Sequence, residues 1–223
     1  MENLHINVDA QRSVSALLLK PADPLACFVF AHGAGAGMNH SFMESMARAL
    51  FDRRLATLRY EFPSMEARAK RPDPPAVAQA TVRAAVGAAS RHCPNAMLIA
   101  GGKSFGGRMT SQAQAASPLP NVVGLVFFGF PLHAASKASN ERAAHLFKVT
   151  VPMLFLQGGK DKLAELPLIR TVSQKLDARA TLHVIDEADH SFHVPRRSGR
   201  TDADVLDEMA HVVVDWLRKQ FMR

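Results

Sequence analysis

The chain has 223 residues, 48% of them hydrophobic and 21% charged, which is enough for one sizeable core and excludes disorder and fibrous structure. Its 27 Lys and Arg against 20 Asp and Glu give a net charge of +7, which favours anionic partners without naming them. No apolar run is long enough for a membrane helix. The longest, Val122 to Phe130, is broken by Gly124 and Gly129.

In chain order, Met1 to Gln11 is polar and lacks the charged and apolar regions of a secretory signal, so the cytoplasm is the expected location. An extended piece at Leu4–Val8 is expected to pair antiparallel with a strand at Ala16–Leu19. Further strands are predicted at Cys27–Ala31, Leu55–Arg59, Ala96–Ala100, Val122–Phe128, Met153–Leu156 and Leu182–Ile185. Helical periodicity falls at Ser41–Phe51, Pro75–Ser90, Phe105–Ala115, Leu163–Leu176 and Asp202–Phe221. Short apolar strands alternating with helices predict one α/β domain over residues 1–223, a mostly parallel sheet covered on both faces. Ser64–Pro75 and His193–Thr201 read as exposed basic loops. Cys27 and Cys93 have no metal-type spacing and read as free thiols. Nucleic acid is disfavoured as a partner: no zinc-finger, zipper or RNA-recognition signature is present, and one Tyr and one Trp leave little for base stacking.

The chemistry concentrates where the strand at Ala96–Ala100 runs into Gly102-Lys103-Ser104-Phe105-Gly106. In Gly-x-Ser-x-Gly between strand and helix, the serine sits in a strained turn, the glycines leave room around it, and the helix start aims free N–H groups at the same place. A serine hydroxyl needs a base, and the base needs a carboxylate to orient it. In chain order after Ser104, Asp161 follows the strand Met153–Leu156 on a glycine turn, and His190 follows the strand Leu182–Ile185. Other readings stay open. Asp161 could cap the helix expected from Leu163, Asp186 or Asp189 could be the acid, and His193 could replace His190. No metal or cofactor is expected.

A second glycine cluster, His32-Gly33-Ala34-Gly35, also follows a strand. A dinucleotide fingerprint fails because the third glycine position holds Met38, and a phosphate-binding loop fails because Met97 stands where Gly-x-x-x-x-Gly-Lys-Ser needs glycine. The cluster fits a loop whose backbone N–H at Ala34 joins that of Phe105 in an oxyanion hole. Basic residues surround these motifs: Lys103, Lys160 and Lys162, and Arg196, Arg197 and Arg200. An electropositive mouth for an ester or thioester carrying an anionic group is the resulting expectation, with Lys103, Lys162, Arg196 and Arg197 as candidate contacts and Tyr60 and Glu61 as candidate pocket residues.

Together, His32-Gly33-Ala34-Gly35 with Met38 and His40, Arg59-Tyr60-Glu61-Phe62-Pro63, Gly102 to Arg108 and Gly129-Phe130-Pro131-Leu132 resemble an α/β-hydrolase over essentially the whole chain. More narrowly they resemble the α/β-hydrolase-like family that includes the third regulatory subunit of the NSL histone acetyltransferase complex, and more distantly the dienelactone hydrolases, which use a cysteine nucleophile. The resemblance implies a compact hydrolase core and a triad of Ser104, Asp161 and His190 but names no substrate; a small-molecule ester or thioester is the expectation from the triad's own chemistry. In the chromatin-complex relatives the same domain implies a scaffold. Only Gly129 to Lys148 lies between two of the strands, which leaves no space for a large cap and predicts an open site.

Overall fold

The computed structural model describes residues 1–134 and 138–222. Eight strands form one sheet in the order β1-β2-β4-β3-β5-β6-β7-β8. β1 (Glu2–Asn7), β2 (Ser13–Leu19) and β4 (Leu55–Tyr60) are joined by antiparallel pairings, β1 to β2 and β2 to β4. From β4 onward the pairing is parallel through β3 (Ala26–Ala31), β5 (Met97–Lys103), β6 (Val122–Phe128), β7 (Met153–Gly158) and β8 (Ala180–Ile185).

The central strands are apolar throughout because both of their faces are covered. In β3, Ala26, Phe28 and Phe30 point into one core while Cys27, Val29 and Ala31 point into the other, the period-two alternation of a strand. The first core is closed by α1 (Ser41–Phe51) and α6 (Asp202–Phe221), through Met43, Met46, Leu50, Val205, Met209, Val213 and Trp216. The second is closed by α3 (Pro75–His92), α4 (Phe105–Ala116), α5 (Leu166–Leu176) and a 3-10 segment at Glu141–Lys148. The small residues of α3, Ala78, Ala85, Ala88 and Ala89, are buried where it lies on the sheet, next to α4 and β3. Cys27 and Cys93 are free and buried.

Helix starts follow local chemistry. Thr201 and Asp204 make a reciprocal capping box at the start of α6, and the His40 side chain accepts the Phe42 N–H at the start of α1. The structure adds a one-turn helix, α2 (Pro63–Glu66), at the head of the expected Ser64–Pro75 loop. It also starts α5 at Leu166 rather than Leu163, with Pro167 in the first turn. Among the described residues there is no large cap between β6 and β7. Residues 135–137 of that connection lie outside the described residues. Among the described residues, no helix is long and apolar enough to cross a membrane.

Candidate active site

The chemistry-bearing residues emerge at the carboxyl ends of the parallel strands, where open α/β sheets place their crevice. Ser104 follows β5 directly and is the residue before α4, with φ 48° and ψ −112°, a conformation that costs energy in any residue but glycine. Its neighbours explain why the turn survives. A Cβ on Gly102 would lie 2.2 Å from the Ala31 carbonyl oxygen, and one on Gly106 would lie 2.5 Å from that of His32. Two glycines therefore let β5 and α4 close on β3 tightly enough to hold the serine in its strained pose.

Asp161 and His190, the expected acid and base, arrive from the ends of β7 and β8. The His190 ring reaches Ser104 with Nε2 2.9 Å from Oγ, and its Nδ1 lies 2.7 Å from Asp161 Oδ2. The Asp161 carboxylate is fully buried and saturated: Oδ1 accepts the Leu163 N–H at 2.8 Å, and Oδ2 accepts the Gln157 amide at 2.5 Å as well as His190. An acceptor so placed holds Nδ1 protonated and leaves Nε2 free to take the serine proton. The imidazole lies beside Gly129 at the end of β6, whose φ of 66° favours glycine; a Cβ there would lie 3.1 Å from Lys103 Nζ and 3.4 Å from the ring.

Of the rivals, Asp186 is exposed, and the others are engaged elsewhere. Asp189 accepts the N–H groups of Ser191 and His193 and so shapes the loop that carries His190. His193 is exposed and paired with Asp202 at 2.9 Å, which raises its pKa. Asp161 caps Leu163 locally, but the residue before α5 is Glu165.

The loop after β3 lies against the elbow: a Cβ on Gly33 would be 3.9 Å from that of Ser104. His32 anchors this loop. Its Nε2 lies 3.0 Å from the Phe62 nitrogen and 3.1 Å from Glu61 Oε2, and its Nδ1 lies 2.7 Å from the Gly33 carbonyl oxygen. The buried imidazole thus ties the loop to the segment after β4. Ala34 and Phe105 both border the space beside Ser104, and among the described residues neither N–H has a protein acceptor.

Ser104 opens on two sides. A cavity of about 350 Å³ is lined by Phe42, Met43, Lys103, Leu163 and His190, and runs on past Phe42 and Ser191 toward Leu206 and Met209 between α1 and α6. On the other side a cavity of about 370 Å³ is lined by Phe105, Arg108, Pro131, Arg142 and Asp73.

Lys103 lines the first cavity but turns inward: its Nζ donates to the His190 carbonyl and lies 4.9 Å from the centre of the Phe192 ring. Burial there pushes its pKa down to about 8. The other sequence-based contacts are placed differently from expectation. Tyr60 is the last residue of β4, buried in the core against Phe62, because it continues the period-two face of Ala56 and Leu58 and so cannot line the site. Glu61 accepts the Met38 N–H at 3.0 Å and braces the loop after β3. Lys162 is exposed, outside the lining of both cavities. Arg196 and Arg197 sit on a 3-10 turn away from both, with Arg197 exposed and 3.4 Å from Glu187. Gln157 and Arg142 escaped the sequence reading, whereas His32 and Arg108 entered it only inside motifs, without a role of their own. Gln157, a polar residue inside an apolar strand, carried a visible signal.

Residues 24–218 match the family model described as an alpha/beta hydrolase domain. Among solved structures the chain is similar to a dienelactone hydrolase from Anabaena variabilis, at 21% identity and TM-score 0.77, with 98% of this chain and 96% of that one covered. It is also similar to an alpha-beta serine hydrolase homologue from Coxiella burnetii, at 19% identity and TM-score 0.76, with 97% of each covered. A third is a Xanthomonas campestris member of the serine hydrolases titled as lacking a lid, at 20% identity and TM-score 0.73, with 96% of this chain and 94% of that one covered. At these identities the likeness is one of fold. With the family model spanning most of its length, the chain belongs to the alpha/beta hydrolase family.

Proposed function

We propose that this protein is a serine hydrolase of carboxylic esters or thioesters, working through an acyl-enzyme. The single observation that carries this reading is the unbroken hydrogen-bonded line from Ser104 Oγ through His190 to the buried Asp161. Ser104 attacks the carbonyl carbon while His190 Nε2 takes its proton. Asp161 stabilises the resulting imidazolium, and the Ala34 and Phe105 N–H groups receive the developing oxyanion. The imidazolium then protonates the departing alcohol or thiol. Water, deprotonated by the same imidazole, releases the acid and restores the serine. The esterase and serine hydrolase titles of the structural neighbours agree with this chemistry. The absence of a large cap leaves the serine accessible to small or surface-presented esters.

The test is covalent labelling by a fluorophosphonate, read by intact mass. One adduct is expected on the native chain, none on Ser104→Ala, and labelling at least about a hundredfold slower on His190→Ala. No adduct on folded protein would leave a non-catalytic fold of the kind that the NSL-subunit resemblance implies.

A further inference from the structure

Arg108 and Arg142 carry an inference that the labelling reaction does not touch. They come from different elements, α4 and the Glu141–Lys148 segment, 34 positions apart, yet both line the cavity beside Ser104. Among the described residues neither guanidinium donates a hydrogen bond or forms an ion pair, although most other arginines of the chain do one or the other. Arg108 Nε is buried without a partner among the described residues, and the Arg108 guanidinium lies 6.0 Å from the centre of the Phe105 ring, within reach of a cation–π contact. The two positive charges also repel: after burial, Arg142 is the cause that lowers the pKa of Arg108. The countercharge in the wall is Asp73, one of whose oxygens already accepts the Ser64 N–H at 2.8 Å. Two guanidiniums and one carboxylate leave the cavity one positive charge in excess, which matches a monoanion better than a phosphate dianion. Guanidinium forks fit carboxylates with two parallel hydrogen bonds. Arg108 follows Ser104 by one turn of the same helix, about 6 Å along its axis, so an anion held there is within a few bonds of an ester bound at the serine.

We infer that Arg108 and Arg142 form a carboxylate subsite, and that the substrate is an ester or thioester bearing a free carboxylate a few atoms from the scissile bond. This deepens the hydrolase reading and rests on it for the position of the reacting carbonyl. It also relocates the electropositive mouth from Lys162, Arg196 and Arg197 to a pair on the opposite side of the serine.

Two substrate pairs test it. In 3-acetoxybenzoate against its methyl ester the carboxylate is on the leaving group, and in mono(4-nitrophenyl) adipate against its methyl ester it is on the acyl group. In at least one pair the native enzyme should favour the charged member by about tenfold or more in kcat/KM, the worth of a charge-assisted hydrogen bond. Arg108→Gln and Arg142→Gln should each bring that ratio toward one, Arg142→Lys should retain part of it, and Arg197→Gln should leave it intact. A ratio near one in both pairs, with the neutral esters hydrolysed, overturns the subsite and leaves the hydrolase standing, as does a preference that survives both glutamine variants. Binding gives a readout free of turnover. Calorimetric titration of Ser104→Ala with the charged and the methylated member of each pair should show, in at least one pair, affinity at least about tenfold higher for the charged member, lost when Arg142→Gln is added. Equal affinities within both pairs overturn the subsite whether or not the native chain hydrolyses anything.

Discussion

Gln157 uses one amide to serve two strands: Oε1 accepts the Phe130 N–H at 3.0 Å, and Nε2 donates to Asp161 at 2.5 Å. Gln157→Leu keeps the volume but strands a buried N–H, a cost of about 1–3 kcal/mol, and frees Asp161 to turn. A lower melting temperature and a fall in kcat of about tenfold with KM unchanged are expected, measured on a neutral ester. Lys103 makes a second residue-level prediction. Its proton is held at about 8 in the folded chain against 10.5 for an ordinary lysine. Between those values the unfolded chain binds the proton and the folded one does not, so stability rises with pH across that window and is lost again as pH falls through 8. Urea unfolding between pH 7 and 10 should show this rise in the native chain and a flatter line in Lys103→Met. Lys103 was visible in the sequence as a charge beside the nucleophile. That it serves the His190 carbonyl was not, because the two positions are 87 apart and meet only across β6 and β7.

At the scale of elements, the strand-to-helix elbow is the least forgiving. Gly106→Ala puts a methyl against backbone oxygens of β3 that cannot swing aside, so a loss of about 1–3 kcal/mol and of fluorophosphonate labelling is expected, read by thermal melting and mass. Thr201→Ala removes one half of the capping box of α6, far from the serine. About 1 kcal/mol of stability should go while labelling persists. Elements with a clean period and a cap were legible: β6, α1 and α6 lie where periodicity puts them. The start of α5 was not, because Asp161 engages the Leu163 N–H, and the carbonyl of Leu163 is taken by the Leu132 and His133 N–H groups, so helix waits for Leu166. Tyr60 was misplaced by one residue of strand length, yet Ala56, Leu58 and Tyr60 already spelled the buried face.

Across the whole molecule, motifs spaced along the sequence announced Ser104 and the order of its partners, whereas Arg108 and Arg142 converge only through the fold and carry no spacing signal. The single Trp216, buried and edge-on to Phe221, reports on the core beneath α6. Since both cores share one sheet, its fluorescence and the far-ultraviolet circular dichroism should give one coincident urea transition, and separated transitions would show the two faces yielding independently. The two cavities flanking Ser104 also bear on turnover. On the proposed acyl-enzyme route, the acyl group would occupy one side after the first half-reaction while the other empties, so the vacated chamber would admit the next nucleophile without displacing the bound acyl group. Small alcohols should then compete with water for the acyl-enzyme, diverting product from free acid to new ester in proportion to their concentration.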